Sequence, residues 1–199
     1  MKAVVYIHGK GGGAAEKEHY KPLFPDCDVL GLDYKTFTPW ETGKEIHGAI
    51  KRLKSNYEKI ILIANSIGAF FSMNADIDDM VKTAYFISPI VDIEKLICDM
   101  MKQSNISESD LQKKGVIRTD FGEDLSWEYL CYVREHPLKW TVTTHILYGG
   151  GDCLTSYETI KAFSDCHDVI LNVMENGEHW FHTEEQIEYL DNWIIDNKK

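Results

Sequence analysis

The sequence has few cysteines, no long apolar run and no excess of positive charge. Its 199 residues contain five cysteines and no Cys-x-x-Cys pair, so we predict neither a disulfide framework nor a cysteine-based zinc site. No apolar run approaches the roughly 20 residues that a membrane-spanning helix needs. The formal net charge of −11 argues against nucleic acid or an anionic membrane surface as a partner, because both bind basic faces.

The length and composition favour one globular domain over residues 1–199. An ordinary hydrophobic fraction of 44% provides enough apolar side chains for a substantial core. The apolar run at residues 3–7 is far too short for a signal peptide, and the scattered cysteines suit a reducing compartment. We therefore expect a cytoplasmic protein; the oligomeric state stays open.

Short apolar, β-branched runs alternate with segments of helical periodicity. The runs lie at residues 4–7, 29–34, 60–63, 84–89, 145–148 and 169–174. This alternation predicts an α/β fold of three layers, with a mostly parallel six-stranded sheet and helices on both of its faces. Residues 92–140 contain no strand-like run, but helix starts recur at Ser107 and Ser126, so we predict a helical insertion there. Thr155 with Glu158 predicts a capping box for the helix that follows.

The apolar run at residues 60–63 ends at Ser66, which lies between Ala64 and Gly68. The spacing small-x-Ser-x-small is typical of a nucleophile elbow, a strained strand-to-helix turn that raises a serine hydroxyl above the sheet. Ala64 stands where a first glycine is usual, so we expect any unusual strain at that residue. Ser66 is the candidate nucleophile.

Three further groups follow predicted strands and reach the same sheet edge. Asp152 would orient an imidazole, and His179 would accept the serine proton. The third group is the glycine-rich segment at residues 9–13. There Gly9 and Gly11 allow close approach of a substrate, and the backbone N–H of Lys10 would join that of Ile67 in an oxyanion hole.

These motifs resemble those of the α/β-hydrolase superfamily over nearly the whole chain. The segments His-Gly-Lys-Gly-Gly (residues 8–12), Ala-Asn-Ser-Ile-Gly (64–68), Gly-Asp (151–152) and Gly-Glu-His (177–179) match in order its oxyanion loop, nucleophile elbow, acid loop and base loop. The resemblance implies a small serine hydrolase, most simply a carboxylesterase, acting on a small acyl substrate without an organic cofactor or metal. It also implies that the insertion at residues 92–140 is lid-like, with Met100, Met101 and Trp127 lining an acyl pocket.

Several alternatives stay open at this point. Asp92, just past the fourth predicted strand, is a rival acid, and His182 is a rival base. The segment Gly-x-Gly-x-x-Ala at residues 9–14, with Asp33 at the end of the next strand, also matches a dinucleotide-binding fingerprint. A non-catalytic binding protein on the same scaffold is a third possibility. Glu178, His179 and His182 lack a third convincing metal ligand, and we expect no metal site.

Overall fold

The structure, a computed structural model, describes residues 1–120 and 122–198. Its strands are Lys2–Ile7 (β1), Asp28–Leu32 (β2), Lys59–Asn65 (β3), Thr83–Ile87 (β4), Val116–Arg118 (β5), Asp124–Ser126 (β6), Thr144–Gly149 (β7) and Val169–Met174 (β8). Its α-helices are Lys17–Tyr20 (α1), Pro39–Lys54 (α2), Ile67–Met73 (α3), Ile93–Gln103 (α4), Glu108–Lys114 (α5), Trp127–Glu135 (α6), Tyr157–Cys166 (α7) and Glu184–Asn197 (α8). Two 3₁₀ turns, Ala14–Glu16 and Lys21–Leu23, flank α1.

Six of these strands form the predicted parallel sheet, in the order β2-β1-β3-β4-β7-β8. Each of its five strand pairings is parallel. The central strands β1 and β3 are almost entirely buried, as β-branched runs covered on both faces should be. The edge strands β2 and β8 are only partly buried and accommodate polar residues. The six predicted strands and the α/β architecture are therefore confirmed.

The strand order changes direction between β1 and β3. The chain passes from β1 to β2 on one side of β1, and the next strand, β3, lies on the other side of β1. In open parallel sheets, ligands bind at the carboxyl ends of the strands beside such a switch point. The loop that follows β1 and the turn that follows β3 therefore meet where this fold presents a binding crevice.

One large hydrophobic cluster contains residues from β1, β3, α1 and α8, including Tyr6, Tyr20, Ile63, Leu190 and Trp193. One local prediction needs correction. The cap of α7 is Ser156, whose hydroxyl accepts a hydrogen bond from the Thr159 N–H, and not Thr155.

The chain divides into two compact units, Met1–Val91 with Lys139–Lys199, and Asp92–Leu138. The second unit contains α4, α5 and α6, which Asp92, Ser107 and Ser126 cap through their side chains. It is not purely helical as predicted, because β5 and β6 form an antiparallel pair. Each strand is only three residues long, too short for a periodic pattern that the sequence could reveal.

Arg134 on α6 connects the helices of this second unit. Its guanidinium bonds Glu94 at 2.7 Å and Glu108 at 2.8 and 2.9 Å. A bidentate contact of this kind has a defined geometry that a lysine would not reproduce.

Within the described residues, no helix combines the length and the apolar character that crossing a bilayer requires.

Candidate active site

Ser66 occupies the sharp turn between β3 and α3. Its backbone has φ 52° and ψ −123°, a region that costs about 1–3 kcal/mol for a residue with a side chain. The turn brings α3 against the end of β1 so closely that a Cβ on Gly68 would lie 2.4 Å from the His8 carbonyl oxygen. Ala64, by contrast, is fully buried inside the regular pairing of β3 with β1 and β4. The strained residue is Ser66, and our expectation of strain at Ala64 is wrong.

His179 lies between Ser66 and Asp152. Its Nε2 is 2.8 Å from the Ser66 Oγ, and its Nδ1 is 2.7 Å from the Asp152 Oδ2. Both distances are those of hydrogen bonds. The Asp152 side chain is completely buried and that of His179 is 18% exposed, so the imidazole edge reaches the surface of the site while its acidic partner is shielded from water.

The Asp152 carboxylate is held from its other side as well. Its Oδ1 accepts hydrogen bonds from the backbone N–H groups of Leu154 at 2.7 Å and Thr155 at 3.2 Å. With one oxygen on the backbone and the other on His179, the carboxylate has a single orientation. It supports the imidazole tautomer that carries its proton on Nδ1 and leaves Nε2 free to accept one.

The loops that carry Asp152 and His179 pack backbone against backbone. The Gly151 N–H donates to the Gly177 carbonyl at 2.8 Å. A Cβ on Gly149 would lie 2.5 Å from the Glu178 carbonyl oxygen and 2.6 Å from that of Gly177. The glycines at the end of β7 and just after it therefore allow the loop after β8 to approach closely enough for His179 to reach Asp152.

The loop after β1 faces the elbow. A turn closes with the Gly12 N–H donating to the Gly9 carbonyl at 3.2 Å, and Gly11 has φ 79°, as the third position of a type II turn requires. Lys10 is the second residue of this turn. A Cβ on Gly9 would lie 3.2 Å from the Ser66 Cβ, so a glycine at that position keeps the space beside Ser66 open.

The base of this loop is anchored by aromatic side chains. The Tyr34 hydroxyl donates to the His8 carbonyl at 2.7 Å, and the two rings stack with centroids 4.2 Å apart.

Ile67 is the first residue of α3, so its N–H has no acceptor within the helix. The roles of Lys10 and Ile67 as oxyanion donors, and of Gly9 and Gly11 in substrate binding, remain predictions.

A cavity of about 640 Å³ opens at Ser66 and His179. Aromatic and aliphatic side chains line part of it, and the loop at residues 9–12 also contributes to its lining. The polar lining includes Glu16 and Asn65, which the sequence did not single out. Asn65 is a polar residue at the end of an otherwise apolar strand, and this was the one signal of its position in a site.

Other predicted candidates lie elsewhere. The Asp92 carboxylate accepts a hydrogen bond from the Lys95 N–H at 2.9 Å and caps α4. His182 bonds the carbonyl of Trp180 at 2.7 Å. Met100, Met101 and Trp127 belong to the second unit, and their part in an acyl pocket remains a prediction.

The dinucleotide alternative lacks its main structural element. In a dinucleotide fold, the glycine loop opens a long helix whose N-terminus binds the pyrophosphate. Here the loop leads into a three-residue 3₁₀ turn and the four-residue helix α1. Asp33, the candidate ribose ligand, forms an ion pair with Lys35 on the surface.

Solved structures resemble this chain over almost its full length. Alpha/beta hydrolase domain-containing protein 10 from mouse matches with a TM-score of 0.80 at 14% identity, covering 98% of this chain and 88% of its own. A putative hydrolase from Agrobacterium vitis has a TM-score of 0.80 at 16% identity, covering 97% and 86%. Est1E from Butyrivibrio proteoclasticus with ferulic acid bound has a TM-score of 0.78 at 17% identity, covering 98% and 87%. No protein-family model matches the chain, and no curated protein sequence matches it.

Proposed function

We propose that this chain, which has the α/β-hydrolase fold, is a serine hydrolase that cleaves a small ester, thioester or amide, with carboxylesterase activity as its simplest form. The observation that carries the proposal is the continuous hydrogen-bonded line from Ser66 through His179 to Asp152, with bonds of 2.8 and 2.7 Å. The fold likeness to esterases and hydrolases supports the same conclusion.

In the first half of the reaction, the Ser66 Oγ attacks the substrate carbonyl carbon. His179 accepts the hydroxyl proton on Nε2, and Asp152 stabilises the resulting imidazolium through Nδ1. The carbonyl oxygen becomes an oxyanion, which the N–H groups of Ile67 and Lys10 stabilise. When the tetrahedral intermediate collapses, His179 returns the proton to the departing alcohol, thiol or amine, and an acyl-serine ester remains.

In the second half, water takes the place of the leaving group. His179 removes a proton from the water as it attacks the acyl-serine ester, and a second oxyanion forms at the same position. Collapse of this intermediate breaks the bond to the Ser66 Oγ, which recovers its proton from His179. The carboxylic acid leaves, and the residues return to their starting state without any other reactant.

Covalent labelling tests the nucleophile. A fluorophosphonate probe should label the wild-type protein and leave Ser66→Ala unlabelled, because an activated serine oxygen displaces fluoride from the probe and becomes phosphonylated. Ser164→Ala is the matched control, since Ser164 lies on α7 with its hydroxyl bonded to the Ile160 carbonyl at 2.8 Å. Equal labelling of the wild type and Ser66→Ala would exclude Ser66 as the nucleophile.

A substrate panel separates the reaction classes. Steady-state rates with p-nitrophenyl acetate, butyrate and octanoate, and with the thioester and anilide of the best acid, should rank ester above amide if carboxylesterase activity is correct. Ser66→Ala should lower each rate by about 10³-fold or more, because the covalent step is lost. An unchanged rate in that variant would show that another group performs the hydrolysis.

A further inference from the structure

A chain of polar side chains extends from the residue beside Ser66 to the outer wall of the cavity. The Asn65 Nδ2 donates to the Tyr6 hydroxyl at 3.0 Å, and that hydroxyl donates to the Glu16 carboxylate. Asn65, Tyr6 and Glu16 all line the same cavity as Ser66. The chain therefore lies in the wall of the cavity that contains Ser66.

This chain contains hydrogen-bond acceptors in the wall of the cavity. Burial, the neighbouring Tyr20 and the bond to Glu16 raise the pKa of Tyr6, so its hydroxyl remains protonated and its proton is directed to Glu16. Asn65 uses Nδ2 in the chain, while its Oδ1 is buried and bonds to no described residue. A buried amide oxygen without a donor is unfavourable, and a substrate N–H or O–H would remove that cost.

Glu16 adds a negative charge to the same wall. One carboxylate oxygen accepts from the Gly13 N–H at 2.8 Å and the other from Tyr6. A carboxylate offers about four lone-pair positions, so both oxygens retain acceptor capacity. Glu16 is exposed as a whole, so a charged substrate group can approach it without losing all its water.

Two other ionisable groups line the cavity near this wall. The His19 Nε2 lies 2.8 Å from the Asp191 carboxylate, so this ring nitrogen already has a hydrogen-bond partner. Lys10 lies on the turn after β1 and is exposed. Tyr20 and Trp180 also contribute rings to the lining, and aromatic faces attract cations.

We propose that the cavity selects substrates whose apolar chain ends in a protonated amine, with Glu16 as the anionic partner and Asn65 Oδ1 as a further acceptor. The substrate class rests on the proposed hydrolase function, whereas the binding of the amine does not. An alkylammonium has both features that the cavity complements, because its chain packs against the apolar lining and its N–H groups meet the acceptors.

Ligand binding tests the cavity without requiring activity. NMR titration should show that n-hexylammonium binds at least about fivefold more tightly than 1-hexanol. The expected ratio of affinities is modest because Glu16 is exposed and solvent weakens its interaction with the ammonium. Glu16→Gln should reduce that ratio to about one. Glutamine still supports a capping box at this position, so the variant removes the charge while its amide oxygen can still accept from the Gly13 N–H.

Glu158→Gln is the matched control, since it makes the same change in net charge at an exposed position on α7. It should leave the preference for hexylammonium unchanged. Equal affinity of the two ligands for the wild type, or a preference that survives in Glu16→Gln, would overturn the proposal.

A pair of esters tests the substrate class. The p-nitrophenyl esters of 6-aminohexanoic acid and heptanoic acid differ only in an ammonium against a methyl group. The amino ester should have the higher kcat/KM by about fivefold, and Glu16→Gln should bring the ratio of the two kcat/KM values to about one. Equal kcat/KM values in the wild type would refute the substrate class.

The two proposals fail separately. If fluorophosphonate does not label Ser66 but hexylammonium binding depends on Glu16, the amine site stands and the hydrolase proposal is wrong. If Ser66 is labelled and both esters are hydrolysed without a preference, the hydrolase proposal stands and the amine site is wrong.

Discussion

Replacing Gly68 with alanine should damage both the stability and the activity of the protein. The new Cβ would lie 2.4 Å from the His8 carbonyl oxygen and 2.9 Å from that of Ile7. Ordinary contact begins at about 3.4 Å, so α3 and the end of β1 must separate by about 1 Å. Both neighbours are backbone, which cannot rotate away as a side chain can.

The magnitude follows from that displacement. Forcing an extra carbon into a packed region typically costs about 1–3 kcal/mol, which for a chain of this size lowers Tm by about 2–12 °C. A shift of about 1 Å at Ser66 is enough to break its 2.8 Å hydrogen bond to His179. Misplacement on this scale costs about 10²-fold in rate.

The assay compares Gly68→Ala with Gly13→Ala. A Cβ on Gly13 meets nothing within 4 Å, and its φ of −160° is extended backbone that any residue adopts. Thermal melting and the rate of fluorophosphonate labelling should therefore change in Gly68→Ala and remain near the wild-type values in Gly13→Ala. A Gly68→Ala protein that melts and reacts like the wild type would refute the tight contact between elbow and β1.

Two further perturbations test the acid and a buried histidine. Asp152→Asn should lower kcat by about 10⁴-fold with little change in Tm. The asparagine oxygen can still accept from the Leu154 and Thr155 N–H groups, but its NH₂ then faces His179 and favours the wrong imidazole tautomer. A loss of kcat below tenfold would contradict the role of Asp152. Burial lowers the pKa of His145 below its usual 6.5. On acidification, the unfolded chain therefore protonates this histidine before the folded protein does. The free energy of unfolding should fall as the pH decreases from about 6.5 to the pKa of the folded state. His145→Phe keeps an aromatic ring beside Tyr85 and should reduce the fall in Tm between pH 7.5 and pH 5, whereas equal falls in both proteins would show that His145 does not titrate in this way.

The sequence predicted the sheet better than the segment at residues 92–140. Long β-branched runs such as β3 have one stable environment, a strand covered on both faces, and their prediction needs no tertiary information. The strands β5 and β6 have three residues each, and their pairing depends on the turn between them and on the neighbouring helices. Similarly, Thr155 and Ser156 are both good caps, and only the backbone path selects Ser156.

The candidate site divides in the same way. Ser66 was identifiable because an apolar strand, a serine and small flanking residues occur together, and Asp152 and His179 because each follows a strand. Glu16 and Tyr6 gave no such signal: Tyr6 belongs to the apolar pattern of β1, and Glu16 lies in a short surface turn. Tyr6 comes close to Asn65 because β1 and β3 are neighbours in the sheet, and the turn that contains Glu16 follows the loop after β1.

The sequence by itself determined the six strands, their alternation with helices and the order in which serine, aspartate and histidine follow strand ends, because these depend on local periodicity and turn chemistry. Only the tertiary structure decided that the Asp152 carboxylate bonds His179 while that of Asp92 caps a helix. It also located the strain at Ser66 and not at Ala64. The physical reason is that such choices depend on close backbone contacts between distant segments, which no local pattern records.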